Sequence, residues 1–483
     1  MIRLRNEQPS FGDGLISAEV EDLWEPWMRH ADKILSDPSL LSLTLNELEK
    51  RVKPGQKRGR PGTSAEVALR MLLLKHVRSF SFEELTREVR ANLVYREFTR
   101  VGGGKTPDDK TMSRLARQLG PDCVKLLHER IVEISLKEKI VAGRKLRVDT
   151  TVVETNIHYP TDSSLLGDGV RVATRVMKKI QNLAAKTGAA FRDRSKSVKL
   201  RVLDIARSTR SRGAQAQEKM KEGYVKLLDS TGRVLGQAER FVREIEQGVK
   251  HASGTGQEKL ERLGLELKSV VARVGQVVRQ TRARVLDGNT HAEGKLLSIF
   301  ETGTEAIRKG KAAKPTEFGK MVKIQEAENQ IIVDYEVYAK RPNDSDLLIP
   351  SIEIHEKLLK RTPHLVAADA GFYSGKNEKE AKAKGVKRVS VPNRSTKNLE
   401  KRKEQKKRWF REGQKWRTGC EGRISVLKRR HGLTRSRYNG DAGMERWVGL
   451  GVIADNLINI GTQLSIKERS KKQKTAEKDQ KAG

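Results

Sequence analysis

Apolar positions along this chain recur at two periods, and the places where the period changes mark out its parts. Through residues 1–140 the step is three or four, as helices with one buried face require. The clearest run is RGRPGTSAEVALRMLLLKHV (58–77), a basic loop leading into an apolar helix. Thr63 or Ser64 can cap that helix, with Glu66 in its first turn. SFEELTREVRA (81–91) and DKTMSRLARQLG (109–120) read as two shorter helices joined by a loop containing GGGK. A helix-turn-helix arrangement of these would turn Lys110, Ser113, Arg114 and Arg117 towards DNA; plain bundle packing is the alternative.

The period switches at LRVDTTVVETN (146–156), where Leu146, Val148, Val152 and Val153 sit among threonines. Such residues suit a pleated, half-buried surface, so a strand is expected. From about 170 to 290 the helical step returns in a polar segment. Val234, Ala238, Phe241, Ile245 and Val249, then Leu260, Leu263, Leu267, Val270, Val274 and Val278, form stripes of amphipathic helices packed on one another. KMVKIQE (320–326) and QIIVDYEVYA (330–339) read as a hairpin. Val333, Tyr335 and Val337 would face a core, with Asp334, Glu336 and Tyr338 on the other side.

SDLLIPSIEIHEKLLKR (345–361) reads as a helix kinked or delayed by Pro350. HLVAAD (364–369) and GVKRVSVP (385–392) are short strands around the helical NEKEAKAKG, and 409–430 and 444–461 are closing helices. The tail from Lys467, with seven basic and three acidic residues, reads as disordered. With the long helical segment set aside, the order is strand, two-stranded hairpin, helix, strand, helix, strand, helix. That is the order of an RNase H-like fold. The expected class is α/β: a helical N-terminal domain (1–140), the start of an RNase H-like core (141–168), and a helical insertion (169–295). The rest of the core (296–465) and a basic tail (466–483) follow.

Charge narrows the partners. Lys and Arg total 98 against 62 Asp and Glu, a net +36, with a pI near 10.1. A balance of that size seeks a polyanion, foremost nucleic acid; an anionic membrane surface or ribosomal RNA would also fit. No apolar run of ~18 residues predicts a membrane span, and MIRLRNEQPSFGDG lacks a signal-peptide stretch. Two cysteines, Cys123 and Cys420, supply neither a disulfide framework nor a cysteine-rich zinc site. A soluble protein of a reducing compartment, a bacterial cytoplasm, is expected.

Three acids need a purpose. Asp149 lies within the first strand, Asp369 closes the fourth in VAADAGFYS, where Gly371 permits a sharp turn, and Glu421 stands on the helix RTGCEGRISVLKRR. Singly, Asp149 could face solvent at a strand edge, Asp369 could cap a helix near Gly375, and Glu421 could pair with Arg417, Arg423 or Lys428. Jointly they are hard-oxygen donors suited to Mg²⁺ or Mn²⁺, two of which ~3.5–4 Å apart can work on a phosphodiester.

These same stretches resemble bacterial insertion-sequence transposases of the DDE type, the ISNCY-like group in particular. LRVDTTVVETNIHYPTD (146–162) is similar to their first-aspartate block and VAADAGFYS (366–374) to the second. RGRPGTSAEVALRMLLLKHVRSFSFEELTREV is similar to the helical domain ahead of their core, and FETGTEAIRKGKAAKPTEFGKMV (300–322) to the segment returning to it. Their Y-(2)-R-(3)-E-(6)-K pattern is met by Arg417, Glu421 and Lys428, while its tyrosine position holds Gln414 and the nearest aromatic is Trp416.

The resemblance implies a metal-dependent DNA transesterase that binds terminal inverted repeats, nicks them, and directs a freed 3′-hydroxyl onto target DNA. Asp149, Asp369 and Glu421 would hold two Mg²⁺ or Mn²⁺ ions, and Arg417 and Lys428 would hold phosphates. A homodimer or higher assembly on DNA, in the cytoplasm at the nucleoid, follows from the need to synapse two ends.

Residues 401–417 carry nine basic and two acidic side chains, and 423–437 six basic and none acidic. Arg423, Arg429 and Arg430 therefore join the DNA-contacting set. Trp409, Phe410 and Trp416 are candidates to stack on unpaired bases. RGRP (58–61) matches a minor-groove hook or, more simply, a loop before a helix cap. His158 and His431 lack a paired ligand spacing, and VGGGKTPDD (101–109) lacks the spacing of a nucleotide-binding loop. Two rival readings stand: an RNase H-like nuclease without strand transfer, and a non-catalytic basic DNA-binding protein, such as an inactivated transposase.

Overall fold

Helices and one mixed sheet make up the protein in a computed structural model that describes residues 2–5, 20, 22–50, 62–184, 190–209, 213–291, 293–308 and 315–482. The chain divides into two compact units, Met1–Asn156 with Ile307–Gly483, and Ile157–Ala306.

The sheet holds β1 (Lys145–Glu154), β2 (Glu305–Arg308), β3 (Thr316–Glu326), β4 (Ile332–Val337), β5 (Leu365–Ala368) and β6 (Arg388–Ser390). Its order is β2-β3-β1-β5-β6, with β4 also paired to β3. β1 runs antiparallel to β3, and β3 to β4, while β1–β5 and β5–β6 are parallel. Three antiparallel strands followed by two parallel ones is the expected succession; the short β2 was not foreseen.

Alternation along β1 explains why both faces are covered. Leu146, Val148 and Val152 bury against Val366, Ala368, Ile352 and Phe372 on one side. Val153 meets Val322, Ile324, Leu427 and Val448 on the other. The hairpin differs from its expectation. Asp334 is only 2% exposed, because helix Pro121–Lys137 lays Lys125 over it and Lys323 reaches it from β3 at 3.2 Å. A charge so buried persists only when it is paired.

In the helical N-terminal segment, Ser64 caps Ala65–Arg78 by accepting from Val67 N–H, and Ser81 with Glu84 forms a capping box on Phe82–Ala91. RGRP (58–61) lies outside the described residues. Leu69, Met71, Leu72 and Leu74 share a core with Leu450, Ile453 and Leu457 of the last helix, Asp441–Ala482. That helix corrects the expected disorder of the tail, since it continues through Ala482. Lys, Gln, Glu and Ala are good helix formers, and extending a formed helix needs no new nucleus. Pro350 causes no kink: Leu348–Leu359 starts two residues before it, where a missing N–H has no helical partner to lose.

The second unit contains helices Asp162–Leu183, Ser195–Ser208, Ala214–Glu246 and Thr255–Val285 around their own core. The two expected stripes bury as read with two exceptions: Val249 falls past the helix end at Glu246 and is 44% exposed, and Val278 is only partly buried, its neighbour Val277 taking the core position.

Candidate active site

Register places the first two acids. In the parallel β1–β5 pair, Val148 lies opposite Ala368. The next residues, Asp149 and Asp369, therefore occupy neighbouring positions on adjacent strands, whose backbones run ~4.8 Å apart. Asp149 Oδ1 accepts from Thr150 N–H at 2.7 Å. Asp369 ends its strand and accepts from Ala370 N–H at 2.6 Å. It does not cap the helix Gly375–Ala383; Ser374 does, accepting from Asn377 N–H.

Asp149 shares a face of β1 with Arg147, turned towards helix Arg408–Arg430. Arg147 clamps the two together: it pairs with Glu326, donates to the Trp416 carbonyl and lies 4.8 Å from the Trp416 ring. The side-chain amide of Gln414, which stands at the tyrosine position of the motif, donates to Ser390 Oγ at 3.1 Å and to Ala368 O at 3.4 Å. It thus fastens the helix to the ends of β5 and β6. Two glycines make this approach possible. A Cβ at Gly413 would stand 2.7 Å from Ser390 Cβ, and one at Gly419 would collide with the Arg147 guanidinium.

The docking brings Arg417 to 3.0 Å from Glu421 and 3.9 Å from Asp149. One guanidinium therefore holds the third acid beside the first. Exposure rises outward across the three carboxylates, from 17% at Asp149 to 49% at Asp369 and 55% at Glu421. Arg394 approaches Asp369 at 3.9 Å from the solvent side. Beneath them Cys420 is fully buried, and burial, with the charges of Glu326 and Asp149, pushes its thiol well up. It is an inert packing residue.

A fourth carboxylate escaped the sequence reading. Asp344 accepts from Thr150 Oγ1 at 3.2 Å, and its Oδ2 lies 3.2 Å from where a Cβ on Gly371 would be. Gly371 is thus needed for space beside Asp344 rather than for a left-handed turn. Asp344 sits in NDSD (343–346), between the hairpin and the helix expected from Ser345, in a stretch assigned to neither.

The remaining expected residues divide. Lys428 lies two turns beyond Glu421 and is half-buried, while Arg429 and Arg430 are exposed. Arg423 is corrected: it is 7% exposed and bound to Asp455 at 2.8 Å, because two residues past Glu421 the helix turns to face the last helix. Phe410 is buried and presents no free ring to a base; Trp409 and Trp416 are both half-exposed, with Arg147 4.8 Å from the Trp416 ring. Lys110, Arg114 and Arg117 are exposed along Asp109–Gln118, whose Met112, Leu115 and Ala116 face inward. They form a surface of their own.

Carboxylates are the right donor type for Mg²⁺ or Mn²⁺. Among the described residues no three His, Cys, Asp or Glu side chains are gathered closely enough to hold an ion as they stand. None of the described helices is long and apolar enough to cross a membrane.

Residues 28–118 match a family model described as Transposase domain (DUF772), and residues 292–457 one described as Transposase DDE domain. Together they take in just over half of the chain. The first contains Lys110, Arg114 and Arg117, the second Asp369 and Glu421; Asp149 lies outside both. Nothing among curated proteins or solved structures matches.

Proposed function

Because the chain belongs to the DDE-type transposases of insertion sequences, we propose that it binds the ends of a mobile DNA element, cuts there, and joins the freed 3′ ends to new DNA. Asp149, Asp369 and Glu421 are the acids of an RNase H-like core. The observation that carries this reading is the β1–β5 register, which sets Asp149 beside Asp369 on the face where Arg417 brings in Glu421. The strand succession supports the core assignment.

When bound, two Mg²⁺ or Mn²⁺ ions would supply activation of a water or 3′-hydroxyl and neutralise the leaving oxygen. Asp149, Asp369 and Glu421 would hold the cations. Arg417 aligns Asp149 with Glu421 and offers its guanidinium to a phosphate, and Lys428 adds charge two turns along. Lys110, Arg114 and Arg117 grip DNA away from the cut, in a homodimer or higher assembly that holds two ends.

The test uses labelled DNA carrying the two boundaries of the genomic segment that encodes the chain, with Mg²⁺ or Mn²⁺. Wild type should nick and join; Asp149→Ala, Asp369→Ala and Glu421→Ala should bind and do neither. Cleavage without joining would favour a nuclease. Tight binding with no cleavage by wild type would favour a non-catalytic remnant.

A further inference from the structure

Lys75, on helix Ala65–Arg78, is only 2% exposed. Its ammonium lies 4.6 Å from the Trp447 ring centre, 4.9 Å from Phe82 and 5.4 Å from Tyr438. Among the described residues it has neither a carboxylate partner nor a hydrogen-bond acceptor. Burial, reinforced by Arg437 and opposed by Glu84, lowers it to about 7. A buried cation with no carboxylate in direct contact is costly, and the aromatic faces return only part of that cost.

Lys75 forms part of the wall of a cavity of about 520 Å³. Lys428, Arg429, Arg435 and Arg437 line it too, and no acidic residue does. Arg435 is partly engaged by Glu154 at 3.0 Å. The walls are fixed: Trp447 Nε1 donates to the Gly432 carbonyl at 2.9 Å, and the His431 ring lies against the His76 carbonyl at 3.2 Å. Five cationic side chains around one concave space focus a positive potential that selects an anion larger than a halide.

Position indicates which anion. Lys428 lies seven residues beyond Glu421, ~10 Å along the same helix. A DNA strand carries one phosphate per ~3.4 Å of axis, so the cavity lies about three nucleotides from a phosphodiester held at the acids. We propose that this cavity is a phosphate-binding site in which Lys75 is the innermost cation and a backbone phosphate of the engaged strand is the ligand. The choice of DNA as the phosphate source rests on the proposed function; the phosphate chemistry does not.

The experiment measures duplex DNA binding by fluorescence anisotropy in EDTA across a range of salt, and inorganic phosphate binding by calorimetry. The proteins are wild type, Lys75→Met and Lys226→Met, a control at an exposed lysine. Lys75→Met should melt no lower than wild type, since it removes a desolvated charge. It should bind duplex about tenfold more weakly, with the slope of log K against log salt smaller by about one; Lys226→Met should match wild type. Loss of inorganic phosphate binding as well supports a general phosphate site. Loss for DNA alone supports one that reads the backbone. Unchanged duplex affinity and slope in Lys75→Met overturns the proposal. Asp149→Ala should keep the full Lys75 effect, so failure of the catalytic reading and failure of this site are told apart.

Discussion

Asp149 in LRVDTT and Asp334 in IIVDYE occupy strands of one sheet in nearly the same local wording, and their surroundings are opposite. Asp334 is 2% exposed between Lys125 and Lys323. Burial pushes its carboxyl up, but the two lysines outweigh that and hold it below the ordinary range. Asp149 is 17% exposed, lies just past the last β1–β5 pair beside a second aspartate, and meets Arg417 at 3.9 Å. An acid whose charge is balanced inside the protein holds the fold together. One just past the end of a parallel pair keeps part of its surface open to solvent.

The sharpest way to break this contrast is to remove each acid. Asp149→Ala should lower strand cleavage on the order of a thousandfold or more, with a thermal melt close to wild type. A comparable melt but retained cleavage would strip Asp149 of its role. Asp334→Ala leaves Lys323 buried beside a lost partner, and should cost about 3–5 kcal/mol in a urea titration. A cost under about 1 kcal/mol would show the network to be dispensable.

Acid should probe the same network more gently. Burial, helped by Lys125 and opposed by Asp334, lowers His128 to about 4. Its folded value lies below the unfolded 6.5, so the unfolded chain takes up the proton first and stability falls as pH drops from 6.5 towards 4. Between pH 7 and pH 5 the loss is about 2 kcal/mol, and His128→Gln should flatten the profile over that range. The smallest effect on stability belongs to Arg417→Gln. The i,i+4 pair with Glu421 contributes about 0.3–0.5 kcal/mol, so the melt should barely move while cleavage drops. A loss above about 3 kcal/mol would make Arg417 a fold residue.

What could be read from the chain was whatever depends on near neighbours. Strand-forming residue types marked β1, alternation marked β4, Gly and Pro punctuation bounded β5 and β6, and the i,i+4 step tied Arg417 to Glu421. What could not be read was which charge a remote segment would supply. Asp334 was assigned to an open face because Lys125 lies more than two hundred residues upstream. Arg423 looked like its basic neighbours, and only Asp455 on the last helix turned it inward. Asp344 was hidden because its contacts, Thr150 and Gly371, come from two other elements.

The pairing of β1 with β3 has a further consequence. Glu154 stands opposite Gly319, and Thr155 N–H donates to Phe318 O at 3.1 Å. The unit Ile157–Ala306 therefore leaves and re-enters the sheet where a tight hairpin would otherwise close. As a floppy loop of that length, against one of about five residues, it would cost five doublings, ~3 kcal/mol, before the first ladder bond forms. With a core of its own, the helical unit can fold first and draw its two ends together. Closure of the β1–β3 pair is then eased by a unit that holds neither Asp149, Asp369 nor Glu421.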